Sequence, residues 1–211
     1  MVRAGVIVYL GGLVFAEALR APRRVSRLRS RVLRHREAGP ARVGEAIVML
    51  SVVLGVWVLP LVFAFTGWLR PADYACPAWA FWPGAAVFAA SLILRWMAHR
   101  DLGRHWSPTL EVAQDQVLVT DGMYARIRHP IYGSLILWAA AQPLLLQNGV
   151  AGWGGAVAVA LMWLVRVPKE EGMMLKAFGD AYREYAARTG RIIPKRHAWR
   201  ADSPGGGGSI W

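Results

Sequence analysis

The sequence predicts an all-α integral membrane bundle of about five transmembrane helices, with a cytoplasmic pocket formed by its C-terminal half. Three observations carry that expectation. Hydrophobic residues make up 55% of the 211, with 11 tryptophans, more apolar surface than a soluble domain of this size can hide. The apolar residues gather into five runs of about membrane-spanning length. The charge is strongly unbalanced, 25 Lys and Arg against 13 Asp and Glu, and the basic residues stand apart from the apolar runs. Intrinsic disorder does not fit so many aromatic and aliphatic residues. One cysteine, Cys76, excludes an intrachain disulfide scaffold and a cysteine-rich zinc knuckle. The net charge of +12 would suggest nucleic acid in a soluble chain. Segregated from long oily runs, it points to a membrane and its lipids, not to nucleic acid.

The expected spans are residues 4–19, 46–69, 79–97, 133–146 and 150–167. The first resembles an export signal, with Arg3, an apolar stretch and Ala16-Glu17-Ala18, but the arginines behind it favour a retained span. Gln147-Asn148-Gly149 separates the last two spans and predicts a tight turn, hence an antiparallel helical hairpin over 133–167. The fourth run is short for a full crossing.

Basic segments fix the orientation. Residues 20–42 contain nine arginines and one acid, Glu37. The chain from Lys169 onward carries eight basic residues, whereas residues 70–77 carry one Arg and one Asp. Cationic loops stay cytoplasmic, so the N-terminus is expected outside, and the C-terminus and the site inside. The arginine-rich loop, 20–44, reads as a topology signal attracted to anionic lipid headgroups.

The expected organisation is therefore 1–98 for the first three spans, 99–197 for a region that carries chemistry, and 198–211 for a Gly-rich flexible tail. Within the second region, residues 109–112 and 117–120 read as short extended pieces. Pro168 suits the first turn of a new helix, 169–188, whose Leu175, Phe178, Tyr182 and Tyr185 make one apolar face. Tyr182 and Tyr185 read as interfacial packing.

Walker, G-x-G-x-x-G, G-x-S-x-G and H-E-x-x-H patterns are absent. The five histidines do not cluster, and no metal site is expected from His99, His105 and His129. What remains is a constellation at the cytoplasmic ends of the last two spans. Arg128-His129-Pro130-Ile131-Tyr132 precedes the fourth; Arg166 ends the fifth, followed by Glu170-Glu171. The hairpin returns both ends to one membrane face. Arg166 and Glu170 are four apart and share a helix face. Arg128 alone reads as a headgroup anchor. Two adjacent carboxylates do not, because an anionic leaflet repels them; a pocket for a cation explains them better.

This ordered set, continued by Phe178-Gly179-x-x-Tyr182-x-x-Tyr185 and Arg191-x-x-Pro194, resembles the isoprenylcysteine carboxyl methyltransferase family over residues 102–194. The resemblance implies a membrane enzyme that uses S-adenosyl-L-methionine to methylate the carboxylate of a prenylated cysteine. It assigns the cofactor pocket to Gln116, Val117, Leu118, Val119, Tyr124, His129, Pro130, Ile131, Tyr132, Glu170 and Glu171, with Glu111 as a further contact. It gives Arg166 to the acceptor carboxylate, and Arg166 and Glu170 to catalysis. The family often has Gly two residues after the tyrosine, where this chain has Ser134. The C-terminal pattern is shared with phospholipid amine methyltransferases and membrane sterol reductases. A phospholipid-amine or thiol methyltransferase, an NADPH-dependent reductase and a non-enzymatic membrane scaffold therefore stay open as alternatives.

Overall fold

The computed structural model describes residues 1–30, 40–103 and 117–195. The long elements are all helical: α1 (Val2–Ser30), α2 (Pro40–Val52), α3 (Leu59–Phe65), α4 (Phe81–Leu102), α5 (Pro130–Leu146) and α6 (Gly154–Arg188). A π-helical segment, Val53–Val58, joins α2 to α3. No strand forms among the described residues; two isolated bridges pair Asp73 with Asn148 and Ile127 with Gly190. The extended piece expected at 117–120 is irregular chain. Residues 109–112, Glu111, Gln116, His105 and the tail 198–211 lie outside the described residues.

Three helical stretches, Val2–Arg20, Gly44–Phe65 and Ala78–Leu102, are long and apolar enough to cross a membrane. The fourth expected span, α5, is apolar but has 17 residues. At 1.5 Å per residue it reaches about 25 Å, short of a hydrocarbon core of about 30 Å. The fifth expected span forms the first part of α6. Large apolar side chains point outward; Ile7, Val14 and Leu164 are 70%, 71% and 69% exposed. That inversion, together with the spans, marks an integral membrane protein.

Three boundaries differ from the sequence expectation. α1 runs on to Ser30, eleven residues past its apolar stretch and through Pro22; the five arginines of that extension are good helix formers. α2 begins at Pro40, before its apolar run, with proline in the first turn where its missing N–H costs no hydrogen bond. The helix expected to start at Pro168 is the continuation of α6, which runs straight through that proline. Bundle helices of membrane proteins tolerate proline when neighbours satisfy the freed backbone. The real break lies at Gly179, where φ is 53° and ψ is −124°, a conformation that a Cβ disfavours.

The core is a polar-edged aromatic cluster between α1, α4 and α5. Tyr9, Phe88 and Trp138 meet at centroid distances of 4.6–5.6 Å. Trp138 Nε1 donates to Tyr9 Oη at 2.9 Å, and Tyr9 Oη donates to the Val56 carbonyl at 2.8 Å. Gln142 Nε2 donates to the Gly55 carbonyl at 2.9 Å. The π-helical segment disturbs the regular ladder, and donors from α1 and α5 reach the carbonyls of Gly55 and Val56. Gly55 also lets the backbone approach α6 closely: a Cβ there would collide with the Gly154 carbonyl.

At one end of the bundle the α5–α6 connection docks on the α3–α4 loop. Gln147 caps α5 in the left-handed region, with φ of 50°. Asn148 Oδ1 accepts from the backbone of Val150 and Ala151 at 3.0 and 2.8 Å. Its Nδ2 donates to the Leu69 carbonyl and to Asp73 Oδ1 at 2.6 and 2.7 Å. Exposed Trp68, Trp79, Trp82 and Trp153 ring this end, as aromatic side chains do at a membrane interface.

Candidate functional site

The opposite end of the α5–α6 pair carries the charged residues. A 3-10 turn, Gly122–Ala125, leads into the pre-α5 segment. Its Met123 N–H donates to Asp101 Oδ2 at 2.8 Å, which ties it to the end of α4. Residues 126–129 then lie beside the chain that follows α6. Arg128 N–H donates to the Gly190 carbonyl at 2.8 Å, and His129 N–H to the Arg191 carbonyl at 2.9 Å. Pro130 opens α5 immediately afterwards, so the histidine is fixed on both sides.

Arg128 reports how α6 folds. Its Nη1 donates to the carbonyls of Ala186 and Thr189 at 2.9 and 2.6 Å. Its Nε and Nη2 reach Glu171 Oε1 at 3.2 and 3.0 Å. Glu171 and Ala186 would be about 22 Å apart along a straight helix. One guanidinium touches both, so the kink at Gly179 folds the last turns of α6 back over the site. The orphan carbonyls of that helix end are capped by Arg128 and by Lys195 Nζ, which donates to the carbonyls of Ala186 and Ala187 at 3.0 and 2.7 Å. Arg128 is thus an internal clamp with an 11% exposed side chain, not the headgroup anchor its sequence context suggests.

Glu171 is the hub. Besides Arg128, it accepts from His129 Nε2 at 3.3 Å and binds Arg191 through two nitrogens at 3.1 and 2.7 Å. The His129 hydrogen bond, with those of Arg191 and Arg128, holds its carboxyl far below the usual carboxylate range, despite its partial burial. Its neighbour Glu170 turns the other way and accepts from Tyr132 Oη at 2.8 Å.

Glu170 lines a pocket of about 60 Å³ between α4, the 117–129 segment and both parts of α6. Val117, Leu118 and Val119 form one wall; Tyr124, Tyr182 and Tyr185 supply aromatic surface. Burial raises the phenols of all three, with Tyr182 pushed up to about 12, so they stay neutral at physiological pH. Tyr185 Oη donates to the Tyr124 carbonyl at 2.8 Å and ties the folded-back end of α6 to the 3-10 turn. The pocket therefore combines flat neutral rings, irregular backbone outside any ladder and the Glu170 carboxylate, while Arg128 and His129 on its wall are paired with Glu171. That donor set suits a flat heteroaromatic ligand carrying positive charge.

Arg166 lies one helical turn before Glu170, on the side facing α2. It is 7% exposed. Nη1 donates to Met49 Sδ at 2.8 Å, and Nη2 stands 3.6 Å from Glu45 Oε1. Tyr132 lies close enough to Arg166, Glu45 and Glu170 to feel all three charges.

Of the residues expected to form the pocket, Val117, Leu118, Val119, Tyr124, His129 and Glu170 line it. Pro130, Ile131, Tyr132 and Glu171 are not part of that lining; Tyr132 holds Glu170, and Glu171 holds His129. Gln116 lies outside the described residues. Leu102, Arg128, Met174, Tyr182 and Tyr185 line the pocket although the sequence motifs do not place them there. The signal for the tyrosines is Gly179, a residue able to reverse α6 between the acidic pair and the aromatic pair.

Residues 84–176 match the isoprenylcysteine carboxyl methyltransferase (ICMT) family. Protein-S-isoprenylcysteine O-methyltransferase B of Arabidopsis thaliana is 30% identical over 113 residues, 53% of this chain and 57% of the relative. The Schizosaccharomyces pombe protein-S-isoprenylcysteine O-methyltransferase is 35% identical over 81 residues, 38% of this chain and 34% of the relative. The chain thus spans about half, or less, of the length of these curated relatives. A solved structure of the eukaryotic intramembrane Ras methyltransferase ICMT superposes with a TM-score of 0.50 at 23% identity, covering 76% of this chain and 54% of that one, a likeness of fold. The resemblance drawn from the charged motifs thus stands on two further footings: residues 84–176 are similar in sequence to the isoprenylcysteine carboxyl methyltransferase family, and the helical bundle is similar in fold to an ICMT.

Proposed function

We propose that this chain transfers a methyl group from S-adenosyl-L-methionine to the carboxylate of a lipophilic, isoprenylcysteine-like acceptor. The observation that carries the reading is the placement of Arg166 and Glu170 on successive turns of α6. Arg166 reaches towards Glu45 of α2, and Glu170, one turn on, lines the tyrosine-walled pocket. A carboxylate acceptor is already ionised at neutral pH, so the reaction needs no general base. It needs a cation in a partly dry place to hold and aim the carboxylate, and the Arg166 guanidinium can fork onto both oxygens. Bound in the pocket, the donor would supply an activated methyl group on a sulfonium. Glu170 would balance its positive charge, Tyr124 and Tyr182 would pack on its flat ring, and the backbone of 117–119 would read the ring edge. Tyr132 would keep Glu170 aimed inward. The protein's main contribution is alignment of acceptor oxygen, methyl carbon and sulfur in one line.

In this reading residues 99–197 form the methyl-donor half and residues 1–98 the acceptor side. The basic segments lie on the cytoplasmic face with the C-terminus, and the N-terminus lies outside. The test is transfer of labelled methyl groups by the purified full chain to prenylcysteines, phospholipid amines and thiols, with calorimetry of S-adenosylhomocysteine and NADPH. Transfer to a prenylcysteine carboxylate and binding of S-adenosylhomocysteine are expected. Arg166→Ala lowers kcat/KM for that acceptor about 100-fold, as loss of charge-assisted hydrogen bonds implies, with cofactor-product affinity unchanged. Binding of NADPH alone, or transfer confined to amines, overturns the reading.

A further inference from the structure

We infer that Glu45 is a built-in competitor for the acceptor's carboxylate, and that it sets which anions reach Arg166. The inference rests on the methyltransferase reading and deepens it at the acceptor side. Glu45 stands on the first turns of α2, a helix outside the 84–176 segment similar to the family. Its carboxylate faces Arg166 Nη2 at 3.6 Å, close enough for ionic attraction and too long for a hydrogen bond. The neighbouring Nη1 is given to Met49 Sδ, a weak acceptor. Both contacts are poorer than the paired, charge-assisted hydrogen bonds a carboxylate makes with a guanidinium fork. Arg166 is thereby kept in place and partly neutralised, yet a well-aimed carboxylate can replace both contacts.

The surroundings say which anion succeeds. The Arg166 side chain is 9% exposed and that of Glu45 23%, so an incoming anion meets the Glu45 charge before it meets the guanidinium. A carboxylate that arrives alone must overcome that repulsion. One carried on a long apolar group gains its binding from the oily outer surface of the bundle and can displace Glu45 from Arg166. Glu45 therefore favours lipid-tethered carboxylates over small soluble anions. An amine acceptor would invert its role, because Glu45 would then attract the substrate.

Steady-state kinetics with an N-acetyl-S-prenylcysteine tests this on the full chain. Glu45→Gln, which keeps shape and removes charge, lowers the acceptor KM about threefold to tenfold and leaves kcat within about twofold. Glu45→Ala, a second replacement at this partly exposed site, shifts KM the same way, whereas Glu45→Asp stays within about twofold of wild type. The inhibition constant of the matching prenylcysteine amide, which has no carboxylate, does not change. Acetate becomes a measurably better inhibitor of Glu45→Gln than of wild type. S-adenosylhomocysteine affinity reports that each variant is folded. An unchanged or raised KM in both folded uncharged variants overturns the role of Glu45 alone. Absence of carboxyl methylation by the wild type overturns the methyltransferase reading, and this inference with it.

Discussion

The two ends of the α5–α6 pair are both closed by a single side chain that collects several partners, and the two collectors differ in kind. At the Trp-ringed end Asn148 makes four hydrogen bonds, three of them to backbone, and is completely buried. At the other end Glu171 gathers Arg128, His129 and Arg191. A neutral amide saturates a turn and leaves nothing over. A charged hub holds separate chain segments by ionic contacts, and next to it stands a second carboxylate, Glu170, turned into a pocket. The contrast separates an end fastened by a neutral amide from an end where a carboxylate lines a pocket.

The comparison predicts distinct effects for each residue. The largest should come from Glu170→Gln, which removes the pocket's carboxylate and lowers S-adenosylhomocysteine affinity about tenfold to 100-fold, read by calorimetry. Equal affinity in mutant and wild type would break the distinction between Glu170 and Glu171. Asn148→Ala should destabilise the bundle by about 2–3 kcal/mol in detergent melts, because it strands buried groups, while ligand affinity in the folded fraction stays as in wild type. A selective loss of ligand binding would mean that the two ends are coupled.

Glu171→Gln sharpens the comparison through pH. The folded-state carboxyl titrates far below its ordinary value of 4.5. Its stabilising contribution is therefore fully present above the unfolded value and disappears only as pH falls through the folded one. The gap in melting temperature between wild type and Glu171→Gln should stay flat from about pH 8 to pH 5 and narrow below about pH 4. A gap that closes between about pH 7 and 6 would assign the linkage to another group. The smallest effect is expected from Gly179→Ala. Forcing a Cβ into that backbone conformation costs about 1–2 kcal/mol and loosens the folded-back turns, seen as faster amide exchange at Tyr182 and Tyr185.

Much of the site is legible in the amino-acid sequence because charge is costly in an oily bundle. A chain with 18% charged residues that places an arginine, two glutamates and an R-H-P-x-Y run at the ends of neighbouring spans announces a polar site there. The division of labour between Glu170 and Glu171 is not legible. Adjacent residues on a helix point about 100° apart, and only the packing of α6 against α5 decides which one meets Tyr132 and which meets Arg128. The promotion of Tyr182 and Tyr185 from packing to pocket wall likewise depends on the reversal at Gly179. Glu45 carries no sequence signal at all, being one acid near the start of an apolar run.

The amino-acid sequence by itself determined the helical class, the membrane environment and the residue types gathered at one face, because these follow from local hydropathy, helix propensity and the cost of moving charge through lipid. Tertiary structure alone decided that α6 runs through Pro168 and turns at Gly179, that Arg128 is a clamp, and that Glu45 faces Arg166. Those outcomes depend on how the helical segments cross at near contact, and the contact set of a residue in such a bundle is a property of its neighbours.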